Sequence, residues 1–297
     1  MQIGVDFGGT KIEAAALGPD GGILVRLRHP NPGDYDTALE TVAGLIARIE
    51  AEVGAAGSVG VGIPGSPSPR TGLIRNANST FLNGRPFGAD LAARLGREVR
   101  LANDANCLAL SEAADGAGAG ARVVLAVILG TGCGAGLVVD GRLLDGAHGV
   151  AAELGHIPLP WPVPDEVPGP ACWCGLSGCL ETWVSGRGLQ RDHAALTGQA
   201  LAAPDIVAAA GAGQSDAVAS LSRYIDRLGR GLAMAVNLVD PDIIVLGGGM
   251  SNVAGLYPAL PPVIARHVFA DAWEAPVVPA RWGDSSGVRG AAWLWPR

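Results

Sequence analysis

The sequence predicts an α/β protein of two lobes, each a mixed sheet with flanking helices, and three observations carry that prediction. A strand, glycine turn, strand plan occurs twice: residues 3–7 and 12–17 flank Gly8-Gly9, and residues 123–129 and 135–139 flank Gly130-Thr131-Gly132-Cys133-Gly134. Each copy is followed by helical periodicity alternating with short apolar runs. The 45 glycines and 21 prolines are spread along 297 residues as loop punctuation, and a 48% hydrophobic content with 16% charge suffices for a large core.

Taken in order, residues 3–7, 12–17 and 23–27 form a meander, with Gly-Pro-Asp-Gly-Gly as the second turn. From 35 to 53 the apolar residues Leu39, Val42, Leu45, Ile46, Ile49 and Val53 recur at spacings of three and four, the mark of an amphipathic helix. The runs 59–63 and 99–102 read as buried strands that deliver Pro64-Gly65 and Asn103-Asp104 at their C-terminal ends, and a helix follows over 105–114. Small residues at 116–120 form the linker. In the second lobe a helix over 216–238 leads through Asp240-Pro241-Asp242 into a strand at 243–246 and then Gly247-Gly248-Gly249. The expected lobes are 1–118, to which a last helix at 285–297 returns, and 119–284, carrying a metal loop at 153–181.

A net charge of −7 with no Lys/Arg cluster argues against nucleic acid or an anionic membrane as partner. The first residues enter a strand without a charged leader and no apolar run reaches ~20 residues, so a soluble, cytoplasmic protein is expected. In a reducing compartment, crowded cysteines are more often metal ligands or catalytic groups than disulfides.

Asp6-Phe7-Gly8-Gly9-Thr10-Lys11 places two glycines, a hydroxyl and an ammonium in one inter-strand turn. Gly8 and Gly9 let backbone N–H groups approach anionic oxygens, Thr10 and Lys11 add a donor and a charge, and Asp6 is placed to hold Mg2+ through water. Alone, the segment also reads as a hairpin turn with a surface lysine. The segment lacks the P-loop spacing, and Gly130-Thr131-Gly132-Cys133-Gly134-Ala135-Gly136 does not fit G-x-G-x-x-G. Repetition sharpens the reading: with Thr131, Gly132 and Gly134 in one turn and Gly247 and Gly248 in another, two lobes are equipped to grip a nucleotide lying in the cleft between them.

Asn103-Asp104 is, by itself, a helix cap. If ATP is held, Asp104 has a second role open, accepting the proton of an attacking hydroxyl during phosphoryl transfer. Asn76, Asn78, Ser79 and Asn83 supply uncharged hydrogen-bonding groups of the kind a polyhydroxy substrate needs, or an ordinary polar loop. Cys172, Cys174 and Cys179 stand at C-x-C-x4-C spacing, sixteen residues after His156, and the four donors match a closed, structural zinc site. A redox pair would more often be C-x-x-C. Glu153 and Glu181 flank this set, so ordering the loop brings both carboxylates toward one place, and the second nitrogen of a zinc-bound His156 needs an acceptor such as a sugar hydroxyl. Cys107 and Cys133 read as small apolar fillers.

These motifs together, Asp6-x-Gly8-Gly9-Thr10-Lys11, Asn103-Asp104-Ala105-Asn106, Gly130-Thr131-Gly132-x-Gly134, Glu153-x-Gly155-His156, the cysteine cluster ending in Glu181, and Gly247-Gly248-Gly249, resemble the ROK family of sugar kinases from end to end. Within it, Pro64-Gly65-Ser66, the stretch from Asn76 to Gly84 and the segment from Gly283 to Trp293 are similar to the bacterial manno(fructo)kinase type of fructokinase. N-acetylglucosamine kinases of the family look different over 78–84, and Phe81 departs from the Trp that resembling kinases carry. The resemblance implies the two-lobed actin-like ATPase (ribonuclease H-like) fold, and transfer from Mg-ATP to the 6-hydroxyl of a hexose, D-fructose first and mannose next. N-acetylglucosamine or glucose is the alternative substrate. It further implies Asp104 as general base, with Asn103, Glu153, His156 and Glu181 on sugar hydroxyls and Gly65 and Asn78 lining the sugar pocket. Lys11, Thr10, Thr131, Gly132 and Gly248 would then contact phosphates or nucleotide, structural zinc would sit on His156, Cys172, Cys174 and Cys179, and the protein would be a homodimer. The family also contains sugar-responsive repressors with an N-terminal helix-turn-helix; a sheet beginning at residue 2, the acidic charge and the presence of Asp104 make a repressor-like protein or a noncatalytic sugar sensor the weaker expectation.

Overall fold

The computed structural model describes residues 1–296, without the side chain of Asp284. In chain order the elements begin with β1 (Gln2–Phe7), β2 (Lys11–Leu17), β3 (Ile23–Pro30), α1 (Tyr35–Val53), β4 (Ser58–Ile63), β5 (Ser66–Pro67) and β6 (Ile74–Arg75). There follow α2 (Phe87–Leu95), β7 (Val99–Asn103), α3 (Asp104–Asp115), β8 (Val123–Leu129), β9 (Cys133–Val139) and β10 (Arg142–Leu143). The chain ends with α4 (Glu181–Val184), α5 (Gly186–Thr197), α6 (Ala203–Gly211), α7 (Ser215–Val239), β11 (Ile243–Gly247), α8 (Leu256–Ala265), β12 (Val277–Pro279) and α9 (Ser286–Ala292). Two compact units result: unit 1 holds residues 1–120, 136–151 and 281 to the C-terminus, and unit 2 holds 121–135 and 152–280. None of the described helices is long and apolar enough to cross a membrane.

The sheet of unit 1 has the order β3-β2-β1-β4-β7, antiparallel at β1/β2 and β2/β3 and parallel from β1 through β4 to β7. Alternation decides its two faces. Ile3, Val5, Phe7, Ile12, Ala14, Val59, Val61 and Ile63 are buried and belong to one cluster with Ala38, Val42, Leu45, Ile46 and Ile49 of α1. Helix α1 starts where Asp34 Oδ1 accepts from Thr37 N at 2.9 Å and stops at Gly54, whose φ of +77° no β-branched residue tolerates. The opposite face is built from small residues. A Cβ at Gly4 or Gly60 would run into the backbone carbonyls of Val288 or Ala291, so those two strand glycines are what lets α9 lie directly on β1 and β4. The fully buried Glu112 of α3 ties this packing to the chain: Oε2 accepts from Ala117 N and Arg281 N, both at 2.9 Å, and Oε1 from Ser286 Oγ at 2.9 Å.

The second five-stranded sheet runs β10-β9-β8-β11-β12, parallel at β8/β11 and β11/β12 and antiparallel at β9/β10. In unit 2 the 25-residue α7 buries Tyr224, Leu228, Leu232 and Val236, and its Gly229 and Gly231 lie against Val263 and Leu180, positions where a Cβ would collide. The architecture is therefore two mixed sheets with flanking helices, as the sequence predicts. Four helices, α2, α4, α5 and α6, are absent from the sequence reading, and α9 ends at Ala292, earlier than expected, in a turn that buries Trp293.

Candidate functional site

In unit 1 the parallel strands β1, β4 and β7 end side by side, since Asp6 pairs with Gly62 and Ile63 with Asn103, so their following residues share one edge of the sheet. Asn103 caps α3, its Oδ1 accepting from Ala105 N at 2.8 Å, while its Nδ2 donates to Gly65 O at 3.0 Å. Gly65 has φ +73°, and a Cβ there would strike Arg75 O and Ala77 N. Ala77 is in turn gripped by Asn83, which accepts from its N–H and donates to its carbonyl, each at 2.9 Å. A relay thus runs from the polar loop through Gly65 and Asn103 to the start of α3, where Asp104 Oδ1 accepts from Ala105 N at 2.8 Å. Asn83 is spent on this staple; Asn78 is exposed, and Ser79 is buried.

Asp6 closes β1, and the Gly8-Gly9-Thr10 turn after it is braced by Asn31, whose Nδ2 donates to Gly8 O at 2.8 Å and whose N–H donates to Thr10 O at 2.9 Å. Lys11 Nζ stands 3.9 Å from Glu13 Oε2, a buried carboxylate that also receives Arg26 Nε at 2.6 Å and the Arg28 guanidinium. Burial, and then the negative charges of Asp6, Asp104 and Asp145, push the Cys107 thiol well up. Three carboxylates of unit 1 therefore converge near one buried sulfur. Burial also raises Asp145, to which Asn106 Nδ2 donates at 3.4 Å. Sequence reasoning missed Asp145, Asn31 and Glu13, for none lies in a motif.

In unit 2 the parallel strands β8 and β11 likewise end together and deliver Gly130-Thr131-Gly132 and Gly247-Gly248 to the same edge, with Gly134 just inside β9. Gly248 has φ +81° and faces Leu129 O so closely that no Cβ fits, and Thr131 is exposed. Gly155 is required in the same way by Cys133 O, which seats Glu153-x-Gly155-His156 against the start of β9.

The metal-type cluster assembles here. The donor atoms of His156, Cys172, Cys174 and Cys179 all lie within 4.8 Å of one another. Cys174 Sγ and Cys179 Sγ are 3.6 Å apart, and Cys172 Sγ is 3.7 Å from His156 Nδ1. A tetrahedron with ~2.3 Å zinc–sulfur bonds has edges of about 3.8 Å, so the residues fit a zinc ion, with Nδ1 as the imidazole ligand. Positive φ at Gly175 (+93°) and Gly178 (+74°) makes the reversals that gather the sulfurs. Burial pushes Cys172 up and Cys179 up to about 12, whereas the Leu176 N–H lowers Cys174; a cation would have to displace these protons on binding. The loop is pinned to α7 by Glu166, which takes Arg227 Nε and Arg230 Nη2 at 2.7 Å on Oε1 and Arg230 Nη1 at 2.9 Å on Oε2. Glu181, first residue of α4, accepts from Cys133 N at 2.9 Å through Oε2 and from Trp173 Nε1 at 2.7 Å through Oε1. Trp173 also packs edge-on against His156, centroids 4.9 Å apart. Glu153 is exposed beside this set. The sequence carries no signal for Trp173, which sits between two cysteines, or for Glu166, whose arginine partners lie more than 60 residues along the chain.

The model of the ROK family matches residues 2–297. The N-acetyl-D-glucosamine kinase of Pectobacterium atrosepticum is 40% identical over 299 residues, covering 99% of this chain and 98% of the relative. That of Vibrio cholerae is 39% identical, covering 99% of both. Among solved structures, the ROK hexokinase from Thermus thermophilus has 36% identity and a TM-score of 0.86, covering 98% of this chain and 96% of its own. A ROK family glucokinase from Streptomyces griseus, in complex with glucose and AMPPNP, has 32% identity and a TM-score of 0.80, covering 99% and 98%. With these neighbours the two-sheet architecture is the actin-like ATPase fold. The same comparisons overturn the expected fructokinase activity and the likeness to the manno(fructo)kinase type, since relatives matched over nearly the whole chain are N-acetyl-D-glucosamine kinases.

Proposed function

The chain belongs to the ROK family, and on that premise we propose that it transfers the terminal phosphoryl group of Mg-ATP to the 6-hydroxyl of N-acetyl-D-glucosamine. The observation that carries the reading is the near-full-length similarity, at 39–40% identity, to the two N-acetyl-D-glucosamine kinases above. Unit 1 supplies the base: Asp104 is held at the start of α3 by the relay through Asn103, Gly65 and Ala77, and it takes the proton of the attacking hydroxyl. Phosphoryl transfer asks mainly for positioning and neutralisation of charge. Gly8, Gly9, Thr10 and Lys11 in unit 1, and Thr131, Gly132, Gly134, Gly247 and Gly248 in unit 2, supply donors and close backbone approach for the phosphates, with Asp6 toward Mg2+. Asn103, Glu153, His156 and Glu181 receive sugar hydroxyls, with Gly65 and Asn78 beside the sugar. His156, Cys172, Cys174 and Cys179 hold a structural zinc, whose task is to order the loop that carries Glu181.

Glucose is the second substrate to rank, because the Streptomyces griseus relative was solved with it. The test is ATP consumption across N-acetyl-D-glucosamine, glucose, mannose and fructose, read as kcat/KM. The highest value belongs to N-acetyl-D-glucosamine; a higher value for any other hexose refutes the substrate assignment, and turnover of none refutes the kinase.

A further inference from the structure

The zinc-type loop contains one side chain that the proposed function leaves without a role. Trp173 lies between two cysteines of the cluster, is 62% exposed, and still directs its only polar atom inward, Nε1 donating to Glu181 Oε1 at 2.7 Å. An exposed indole gains nothing from water exclusion by doing so. The other Glu181 oxygen is fixed by Cys133 N at 2.9 Å, and Gly132 is the one residue type that lets the carboxylate come so near, because a Cβ there would overlap Oε2. The ring of Trp173 meets His156 edge-on, so two of the proposed hydroxyl-binding side chains, His156 and Glu181, touch this indole.

A carboxylate has about four acceptor positions. Two donors, one on each oxygen, lock the rotation of the Glu181 carboxylate and leave one acceptor position on each oxygen. Two oxygens so aimed match a pair of neighbouring sugar hydroxyls, which present donors at similar spacing. We infer that Trp173 is a positioning residue for sugar recognition: its indole N–H and the Cys133 N–H hold the Glu181 carboxylate ready to accept two adjacent hydroxyls of the hexose. The inference rests on the reading of Glu181 as a hydroxyl acceptor. Affinity then depends on the indole through preorganisation, since an unclamped Glu181 must be ordered at the moment of binding.

Trp173→Phe keeps an aromatic ring at this position and removes the indole N–H, together with the indole's second ring. Its exposure means that the fold does not depend on it. The expected result is a hexose KM roughly tenfold higher, the scale for a lost hydrogen bond to a charged group, with ATP KM and zinc content unchanged. Because ground and transition states lose the same contact, kcat stays within about twofold. Glu181→Gln is measured beside it, together with the double variant. In the Glu181→Gln background, Trp173→Phe adds no more than about a twofold change. A hexose KM in Trp173→Phe within about twofold of the parent, with Glu181→Gln strongly impaired, overturns the inference alone. Normal hexose KM in both variants overturns the Glu181 reading beneath it. Full additivity in the double variant, or loss of zinc from Trp173→Phe, overturns the inference by showing that the indole acts through something other than Glu181.

Discussion

Glu166→Gln is the perturbation whose size can be worked most directly from this structure. Glu166 sits between His156 and Cys172, its side chain 4% exposed, facing Arg227 and Arg230 at 7% and 4%. Burial alone would raise its carboxyl; hydrogen bonds from Arg230, Arg227 and the Val163 N–H more than offset that and hold it at about 2, against an ordinary 4.5. At ~1.4 kcal/mol per pH unit, that difference corresponds to about 3 kcal/mol of folding stability. Charge removal also leaves two buried guanidiniums with less compensation, although Arg227 keeps Asp192 at 2.7 Å and Arg230 keeps Asp226 at 2.9 Å. The expected loss is about 2–3 kcal/mol, read at pH 7 as a lower urea midpoint at unchanged slope. The sign with pH follows from a depressed carboxyl: its contribution is complete above 4.5 and disappears as pH falls toward 2. The gap between parent and variant therefore stays constant from pH 7 to about 5 and narrows below. A loss under about 1 kcal/mol at pH 7, or a gap that widens on acidification, would refute the argument that these charges anchor the loop.

Asp104→Asn should lower kcat by about 10²–10⁴ while calorimetry still shows hexose binding; near-normal turnover removes Asp104 as base. Metal analysis of protein purified without added metal should find about one zinc per chain, and Cys174→Ser should lose it together with hexose affinity. A metal-free chain that is folded and active would end the zinc assignment. Gly65→Ala places a Cβ against Arg75 O and Ala77 N at φ +73° and should cost about 1–3 kcal/mol, seen as a lowered Tm. An unchanged Tm would show that the relay to Asn103 is not under that constraint.

What the sequence made legible follows from how local each signal is. Strands β1, β2, β4, β8 and β11 and helices α1 and α7 carry their own alternation or stripe, so their existence needs no tertiary knowledge. Helix α6 escapes because a run of Ala and Gly has no apolar contrast, and α9 escapes at its end because its fit is decided by Gly4 and Gly60 in distant strands. Cysteine spacing announces a metal cluster within one loop, whereas the Trp173 and Cys133 donors that orient Glu181 announce nothing, being ordinary residues until the chain folds. The substrate shows the same limit in reverse. The stretch from Asn76 to Gly84 suggested a ketohexose, yet its most telling polar residue, Asn83, is consumed in holding Ala77 by both backbone groups, and Asn78 is exposed. Likeness in that stretch reports a loop conformation that seats Gly65 and Asn103, a need that does not depend on which hexose is bound. Discrimination among hexoses rests instead on a few hydrogen bonds to groups that differ between them, each worth enough to decide preference and none fixed by spacing along the chain. That is why similarity over the whole chain outweighs the local motif in assigning the sugar.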